Sequence, residues 1–152
     1  MTGAIITAVI HHLAAFTIFS AVIFQYLLLG ADLTAKDIKQ LKIVNLFLNI
    51  SLVVVLIAGF HRVFMFEKGG AYYMKNGAFH AKFTLFLIFA LVTIYPTLKL
   101  SNWSRAISDG QSPDLSEALI KKFKMCLRIE KLLLLLIIIT AVLMAKGVGS
   151  FG

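Results

Sequence analysis

The side chains best suited to chemistry in this sequence are histidines and cations that lie close together along the chain. His61 and Arg62 are adjacent, and His80 and Lys82 follow after one short polar stretch. His11, in the first apolar run, is a third candidate. Neutral imidazoles from different helices can ligate the iron of haem b axially. We therefore predict His11, His61 and His80 as cofactor-binding residues, with haem b as the candidate cofactor and His11 paired with one of the other two.

Arg62 and Lys82 are the predicted catalytic residues of the same site. Their positive charges would neutralise the propionates of a haem bound beside the histidines. The alternative is that interfacial histidines and basic side chains reaching toward the headgroups simply end the helices. Metal binding by the histidines alone is a third interpretation. No zinc-type ligand spacing supports it, so no metal site is predicted.

Motifs of several other protein classes are absent from the sequence. The single cysteine, Cys126, cannot form an intramolecular disulfide, and without a CxxCH motif the chain cannot attach haem covalently. No Ser/His/Asp or Cys/His triad, phosphate-binding loop or paired-carboxylate motif is present. Hydrolase and nucleotide-driven functions therefore have no support.

The composition indicates that lipid is the solvent for much of the protein. Hydrophobic residues make up 60% and charged residues 14% of the 152 residues, and the mean hydropathy is +0.92. Soluble domains carry nearer about 25% charged residues. The net charge of +8 lies in the gaps between apolar runs, which favours anionic lipid headgroups over nucleic acid as the partner.

Four apolar runs predict an all-α fold, an integral membrane four-helix bundle in a single transmembrane domain, residues 1–152. Each run is long enough to cross the hydrocarbon, which takes about 20 residues. A basic amphipathic helix on the membrane surface is predicted to run directly into the last crossing. The predicted crossings are residues 4–30, 43–66, 78–100 and 127–145, and the amphipathic helix covers residues 114–126.

Basic residues divide unequally between the two predicted sides of the membrane. Ten of the 15 Lys and Arg residues fall on the side of the links after the first and third crossings, and five on the other side. The positive-inside rule places the ten in the cytoplasm, facing anionic lipid headgroups, and both termini in the periplasm. All four histidines then lie in the outer half of the bilayer.

Helical spacing suggests which of the polar side chains face other helices. His11 shares its side of the first helix with Thr7 and small residues, whereas His12 shares its side with phenylalanines, so His11 is the better interior candidate. Asn45 and Asn49, one turn apart, predict interhelical hydrogen bonds, with a polar channel lining as the alternative. Glu130 lies beside Arg128 and Lys131, which predicts a solvated rim; a proton acceptor is the alternative.

One motif resembles a family of uncharacterised bacterial four-helix inner-membrane proteins. It reads R-V-x-x-F-x-K-G-x-x-Y-Y, then a lysine a few residues into the third helix, then Y-P-T. The matching residues here are Arg62, Val63, Phe66, Lys68, Gly69, Tyr72, Tyr73, Lys82, Tyr95, Pro96 and Thr97. The resemblance covers nearly the whole chain and implies a multi-pass protein of the bacterial inner membrane. It brings no known activity with it.

A second, more distant resemblance concerns the histidines. A helix-one histidine, with a helix-three lysine close after a histidine, is similar to the pattern of the membrane protoporphyrinogen oxidase of the HemJ type. Copper-resistance membrane proteins of the CopD type are similar in layout. The resemblance implies haem b and porphyrinogen oxidation, with His11 as ligand and Lys82 as its essential partner.

Two functions of different class follow from these observations. The first is a haem b protein of redox or tetrapyrrole chemistry with a His/Arg/Lys site. The second is a non-enzymatic membrane subunit for transport or assembly, without cofactor, in which Asn45, Asn49 and Lys82 serve packing or solute contact. In either case the protein could form a homo-oligomer or join a larger membrane complex.

Overall fold

The computed structural model describes residues 2–30 and 33–150, and its regular structure is helical. The helices are α1 (Thr2–Leu28), α2 (Ala35–His61), α3 (Gly70–Met74), α4 (Gly77–Ser108) and α5 (Glu117–Ala145). A π-helical segment, Arg62–Phe66, follows α2 directly. No β-strand is formed in the described part of the chain, where an isolated bridge joins Asn76 and Ser150. The predicted all-α fold is confirmed.

The four long helices form an antiparallel bundle. In the bundle α1 packs on α2, α2 on α4, α4 on α5, and α5 on α1. Since the chain reverses at every connection, the starts of α1 and α4 meet the ends of α2 and α5 at one end, which we call the histidine end. The other end holds the links after α1 and α4, and we call it the lysine end.

Three of the helices are long and apolar enough to cross a membrane: Thr2–Leu28, Gly77–Ser108 and α2 continued through the π-helical segment, Ala35–Phe66. Their outward side chains are large and apolar, for example Phe16 at 68% and Leu27 at 76% exposure. Such an exposed surface is suited to lipid rather than to water. A fourth crossing by α5, which carries Arg128, Glu130 and Lys131 in its middle, stays a prediction.

Two apolar clusters fill the interior of the bundle. The upper cluster, nearer the histidine end, consists of Ile18, Ala21, Val22, Leu48, Leu52, Phe89, Leu133 and Leu134. The lower cluster, nearer the lysine end, consists of Leu29, Ile38, Leu41, Leu100, Trp103, Phe123 and Leu127. α2, α4 and α5 therefore contribute to both clusters, and α1 contributes to the upper cluster while Leu29, directly after α1, belongs to the lower one. Other side chains occupy the space between the clusters.

Three helices are longer than the apolar runs predicted. α2 begins at Ala35 because Thr34 forms a capping box with Asp37: the Asp37 amide donates to Thr34 Oγ1 at 3.2 Å and the Thr34 amide to Asp37 Oδ2 at 2.9 Å. α4 continues through the buried Pro96 to Ser108. The predicted amphipathic helix, residues 114–126, runs directly into the last apolar run, as expected. Its residues 117–126 form the first turns of α5, since no glycine or proline interrupts residues 117–145.

The connection at the histidine end, residues 67–76, contains the short helix α3. Asn76 then begins α4, and its Oδ1 accepts a hydrogen bond from the Phe79 amide at 3.0 Å. The chain after α5 returns to this point, where the Gly77 amide donates to the carbonyl oxygen of Gly149 at 2.8 Å. The end of the described chain is thus fixed beside the start of α4.

Candidate functional site

His11 lies between α1 and α2 and is half-buried. Its Nδ1 is 3.2 Å from the carbonyl oxygen of Val55. Gly59, one turn further along α2, leaves room for the ring: a Cβ at that position would lie 3.3 Å from His11 Cε1. His12 is exposed, and its Nδ1 lies 2.6 Å from the carbonyl oxygen of Ala8 in its own helix. His11 therefore faces the bundle, as the helix-face pattern predicts.

Two cations lie near this ring. Lys82 enters from α4 and Arg62 from the π-helical segment, and the charges of both act on His11. The charge of Arg62 also acts on Lys82. Both side chains are half-buried. Three elements far apart in sequence thus bring one imidazole and two cations to the histidine end of the bundle.

Glu67 is the anion of this group, and the sequence reasoning missed it. Arg62 Nη2 donates to Glu67 Oε1 at 2.6 Å, with the side chains 25% and 37% exposed. In an α-helix, residues five apart point about 140° away from each other. The π-helical segment changes that relation, because its backbone bond from the Glu67 amide to the Arg62 carbonyl oxygen (2.9 Å) spans five residues.

His61 and His80 make other contacts. His61 is exposed; its Nδ1 is 3.4 Å from Thr7 Oγ1 and its ring packs edge-on against Phe66 at 5.0 Å. His80 is also exposed, and its Nε2 is 2.9 Å from the carbonyl oxygen of Met74. Within residues 2–30 and 33–150, the histidine rings in mutual contact are those of the neighbours His11 and His12, 5.8 Å between centroids.

These residues fit part of a haem site. With Nδ1 held by a backbone carbonyl, His11 has Nε2 free, which is the usual arrangement of a metal-ligating imidazole. Arg62 and Lys82 suit propionates. In the described residues the ring of His11 makes no contact with that of His61 or His80. The cavity that reaches His80 has a volume of about 190 Å³ and is lined mainly by aromatic rings, whereas pockets for drug-sized ligands span about 300–1,000 Å³. The residues therefore fit one histidine ligand and two carboxylate partners of a haem, and the pairing of His11 with His61 or His80 stays a prediction.

A second polar group joins α2 to α4 nearer the lysine end. Thr97 Oγ1 accepts hydrogen bonds from Asn45 Nδ2 at 3.0 Å and from Asn49 Nδ2 at 3.2 Å. The predicted interhelical hydrogen bonds of both asparagines are confirmed. The same residues line a cavity of about 170 Å³ together with Lys42 and Ser101.

The prediction of a solvated rim at Glu130 was wrong. Glu130 is 0% exposed. Its α5 neighbours at helical spacing, Phe123, Leu127 and Leu134, are all buried, so Glu130 lies on the inner stripe of the helix. This spacing was the signal in the sequence that could have placed it. Lys131 turns outward, and its Nζ lies 3.2 Å from the centre of the Tyr26 ring.

The helical bundle with its lipid-suited surface defines a multi-pass helical membrane protein. The chain belongs to the predicted membrane protein family DUF2214, whose sequence profile matches residues 4–149. This confirms the resemblance to an uncharacterised membrane protein family. No curated protein and no solved structure matches the chain.

Proposed function

We propose that the protein binds haem b, or a related tetrapyrrole, at the site formed by His11, Arg62 and Lys82 and serves redox or tetrapyrrole chemistry there. The supporting observation is that one imidazole and two cations from three elements of the fold lie at the same end of the bundle, within range of one another's charge. Among the described residues near Arg62 and Lys82, Glu67 is the one that carries a negative charge. Such an excess of positive charge within an apolar bundle suits an anionic, membrane-soluble ligand.

Each residue has a distinct role in this proposal. His11 would hold the haem iron through Nε2, with its tautomer fixed by the Val55 carbonyl. Arg62 and Lys82 would bind the carboxylates of the tetrapyrrole and hold its edge at the histidine end. Haem itself would supply the one-electron chemistry. His61 and His80 are proposed as second ligands only if the helix ends rearrange when the ligand binds.

An absorption spectrum tests the proposal. The protein is purified in detergent, supplied with haem, and measured before and after dithionite reduction. Soret and α/β bands are expected in the wild type. His11→Ala should remove or shift them, and His12→Ala, which changes the exposed neighbour, should not. A wild-type spectrum without these bands, from a folded preparation supplied with haem, would disprove haem binding.

We further propose that the protein lies in the bacterial inner membrane with both termini and the histidine end in the periplasm. The lysine end would then meet the anionic headgroups of the cytoplasmic leaflet. A cysteine introduced at Lys75, in a Cys126→Ser background, should react with a membrane-impermeant maleimide in intact spheroplasts. If labelling requires permeabilised membranes, the orientation is the opposite of the one proposed.

The second candidate function is a non-enzymatic subunit of a larger membrane assembly or homo-oligomer. The observation in its favour is the hydrogen bonding of Asn45 and Asn49 to Thr97, which joins α2 to α4 without a cofactor. This function requires normal folding without haem and co-purification with a partner or a second copy after mild solubilisation. A monomeric protein that shows haem bands would exclude it.

A further inference from the structure

A layer of buried polar side chains crosses the bundle between the upper and lower apolar clusters. Each long helix contributes one member, and we call the four together the polar layer: Gln25 of α1, Asn45 of α2, Thr93 of α4 and Glu130 of α5. On each helix the member lies between a residue of the upper cluster and one of the lower cluster, as Glu130 lies between Leu133 and Leu127. The layer is separate from the His11 site.

Two members of the polar layer lack hydrogen-bond partners. Gln25 and Glu130 are both 0% exposed, and no partner within the described chain reaches either amide atom of Gln25 or either carboxylate oxygen of Glu130. The Thr93 hydroxyl lies close to Glu130, but it donates its proton to the carbonyl oxygen of Phe89 at 2.9 Å. Its oxygen lone pairs are left free.

A carboxylate in this position requires a positive partner. Buried polar groups in native proteins are almost always satisfied, so an unsatisfied one requires an explanation, of which a bound ion is one. An unpaired charge in a low-dielectric interior is especially costly. No Lys or Arg of the described chain forms an ion pair with Glu130, because Lys131 packs over Tyr26 and Arg128 is exposed. The missing charge must therefore come from outside the chain.

We propose that the polar layer binds a small monovalent cation, either an alkali metal ion such as Na⁺ or a proton, between Glu130 and Gln25. Their helices, α5 and α1, pack against each other. Glu130 would supply the single negative charge, and Gln25 Oε1 and Thr93 Oγ1 would supply neutral oxygen ligands. A proton would instead form a carboxyl–amide pair, with Glu130 donating to Gln25 Oε1.

The chemistry of the layer selects against other ions. One carboxylate balances one positive charge, whereas calcium sites collect several oxygen ligands with more negative charge. Within the described residues no three His, Cys, Asp or Glu side chains are grouped to hold a metal. A transition metal or divalent cation therefore does not fit.

The cavity between α2 and α4 gives water a route toward the layer. It is lined by Lys42, Asn45 and Thr97 among others and has a volume of about 170 Å³. Thr97 is one helical turn from Thr93 and donates to its carbonyl oxygen at 2.8 Å. Lys42, at the lysine end of the cavity, donates to Ser104 at 3.1 Å. A small cation could thus arrive from the lysine end along hydroxyl and amide oxygens.

The groups around Glu130 carry no charge of their own at neutral pH. They are the hydroxyl of Thr93 from α4 and the thiol of Cys126 on α5, together with the other members of the polar layer, Gln25 from α1 and Asn45 from α2. The hydroxyl of Tyr95, also from α4, is buried as well. A pH effect at neutral pH that depends on Glu130 can therefore be assigned to the carboxyl itself.

Thermal unfolding of the full-length protein in detergent tests the cation site. Na⁺ is titrated at constant ionic strength against N-methyl-D-glucamine at fixed pH. If Na⁺ is the ligand, the Tm of the wild type should rise by about 5–10 °C when Na⁺ reaches 100 times its Kd. Glu130→Gln should lose this rise. Glu117→Gln is the matched control, because it neutralises an 82%-exposed carboxylate on the same helix and should keep the rise.

A pH series without alkali ions distinguishes the proton. If the proton is the ligand, Na⁺ has no effect, and the Tm of the wild type falls with rising pH while that of Glu130→Gln does not. Gln25→Leu should weaken either effect, and it provides a second variant if Glu130→Gln fails to fold. A wild-type Tm that responds to neither Na⁺ nor pH, or that responds equally in Glu130→Gln, would overturn the proposal. The His11→Ala variant should keep the effect whatever its haem spectrum.

Discussion

The ring of His11 lies directly against Gly59 of the neighbouring helix. A Cβ at Gly59 would come within 3.3 Å of His11 Cε1 and 3.6 Å of Nδ1. The ring has little freedom to move away, since Nδ1 is held at 3.2 Å by the Val55 carbonyl one turn earlier. Small residues at helix contacts in membranes allow close approach. Here the small residue admits an imidazole into the contact between α1 and α2.

Enlarging Gly59 should therefore displace His11. Gly59→Leu overfills the contact, and we expect it to lower the free energy of unfolding by about 1–3 kcal/mol. Gly59→Ala should change it less, because replacing a glycine inside a helix by alanine gains up to about 1 kcal/mol against a contact that is only slightly too tight. The measurement is unfolding in detergent mixtures followed by circular dichroism.

The double variant Gly59→Leu/His11→Ala identifies the cause of that loss. If the leucine clashes with the imidazole, removing the ring should restore part of the stability, and the coupling energy should exceed about 0.5 kcal/mol. Strictly additive losses would show that Gly59 and His11 do not depend on each other.

Neutralising Glu67 should separate stability from ligand binding. The Arg62–Glu67 pair is partly exposed, so Glu67→Gln should cost less than about 1 kcal/mol of stability. The same change leaves Arg62 without its counter-ion, and we expect tighter binding of haem or another dicarboxylate tetrapyrrole, most clearly at low salt. Titration of the spectral change measures the affinity. Lys68→Gln, which removes an exposed cation one residue away, should not tighten binding.

The course of the chain could be largely predicted from its apolar runs, but the site could be predicted only in part. Length and hydropathy decide whether a helix can cross lipid, and α1, α2 and α4 follow from them. A helical wheel at 100° per residue fails at Arg62, because the backbone becomes π-helical there and changes the direction of the next side chains. The pairing of Arg62 with Glu67 therefore could not be found from α-helical spacing.

The prediction for Glu130 failed for the opposite reason: helical spacing was correct there and was not followed. Two basic neighbours in sequence, Arg128 and Lys131, suggested a solvated position. On a helix, residues three and four apart share a face, and those neighbours of Glu130 are Leu127 and Leu134, both buried. Helical spacing was the better guide here, and adjacent charge was misleading.

The asparagine pair should contribute modestly to stability and not additively. Asn45 and Asn49 donate to the same Thr97 oxygen. Interhelical hydrogen bonds in membranes average about 0.6 kcal/mol, so Asn45→Leu and Asn49→Leu should each cost about that much. The double variant should cost less than the sum, because both changes remove bonds to one acceptor. Unfolding in detergent mixtures measures all three, and Thr97→Val should match the double variant.

Ionisation of the Tyr73 hydroxyl should lower the free energy of unfolding at alkaline pH. Burial, and after it the negative charge of Glu67, raises the pKa of the Tyr73 hydroxyl above its ordinary value of 10.0. α3, which carries Tyr73, lies outside the three helices suited to cross the membrane. The unfolded chain releases this proton more readily than the folded one. The stabilising contribution is therefore complete below about pH 10 and is lost as the pH rises through the folded-state pKa.

Tyr73→Phe should remove this part of the alkaline loss. The free energy of unfolding is measured from pH 8 upward for the wild type, Tyr73→Phe and Tyr72→Phe. Tyr72 is the matched control because it is the adjacent tyrosine and is only half-buried. The wild type and Tyr72→Phe should lose stability above about pH 10 more steeply than Tyr73→Phe. Parallel curves for all three proteins would mean that the Tyr73 hydroxyl titrates alike in the folded and unfolded chains.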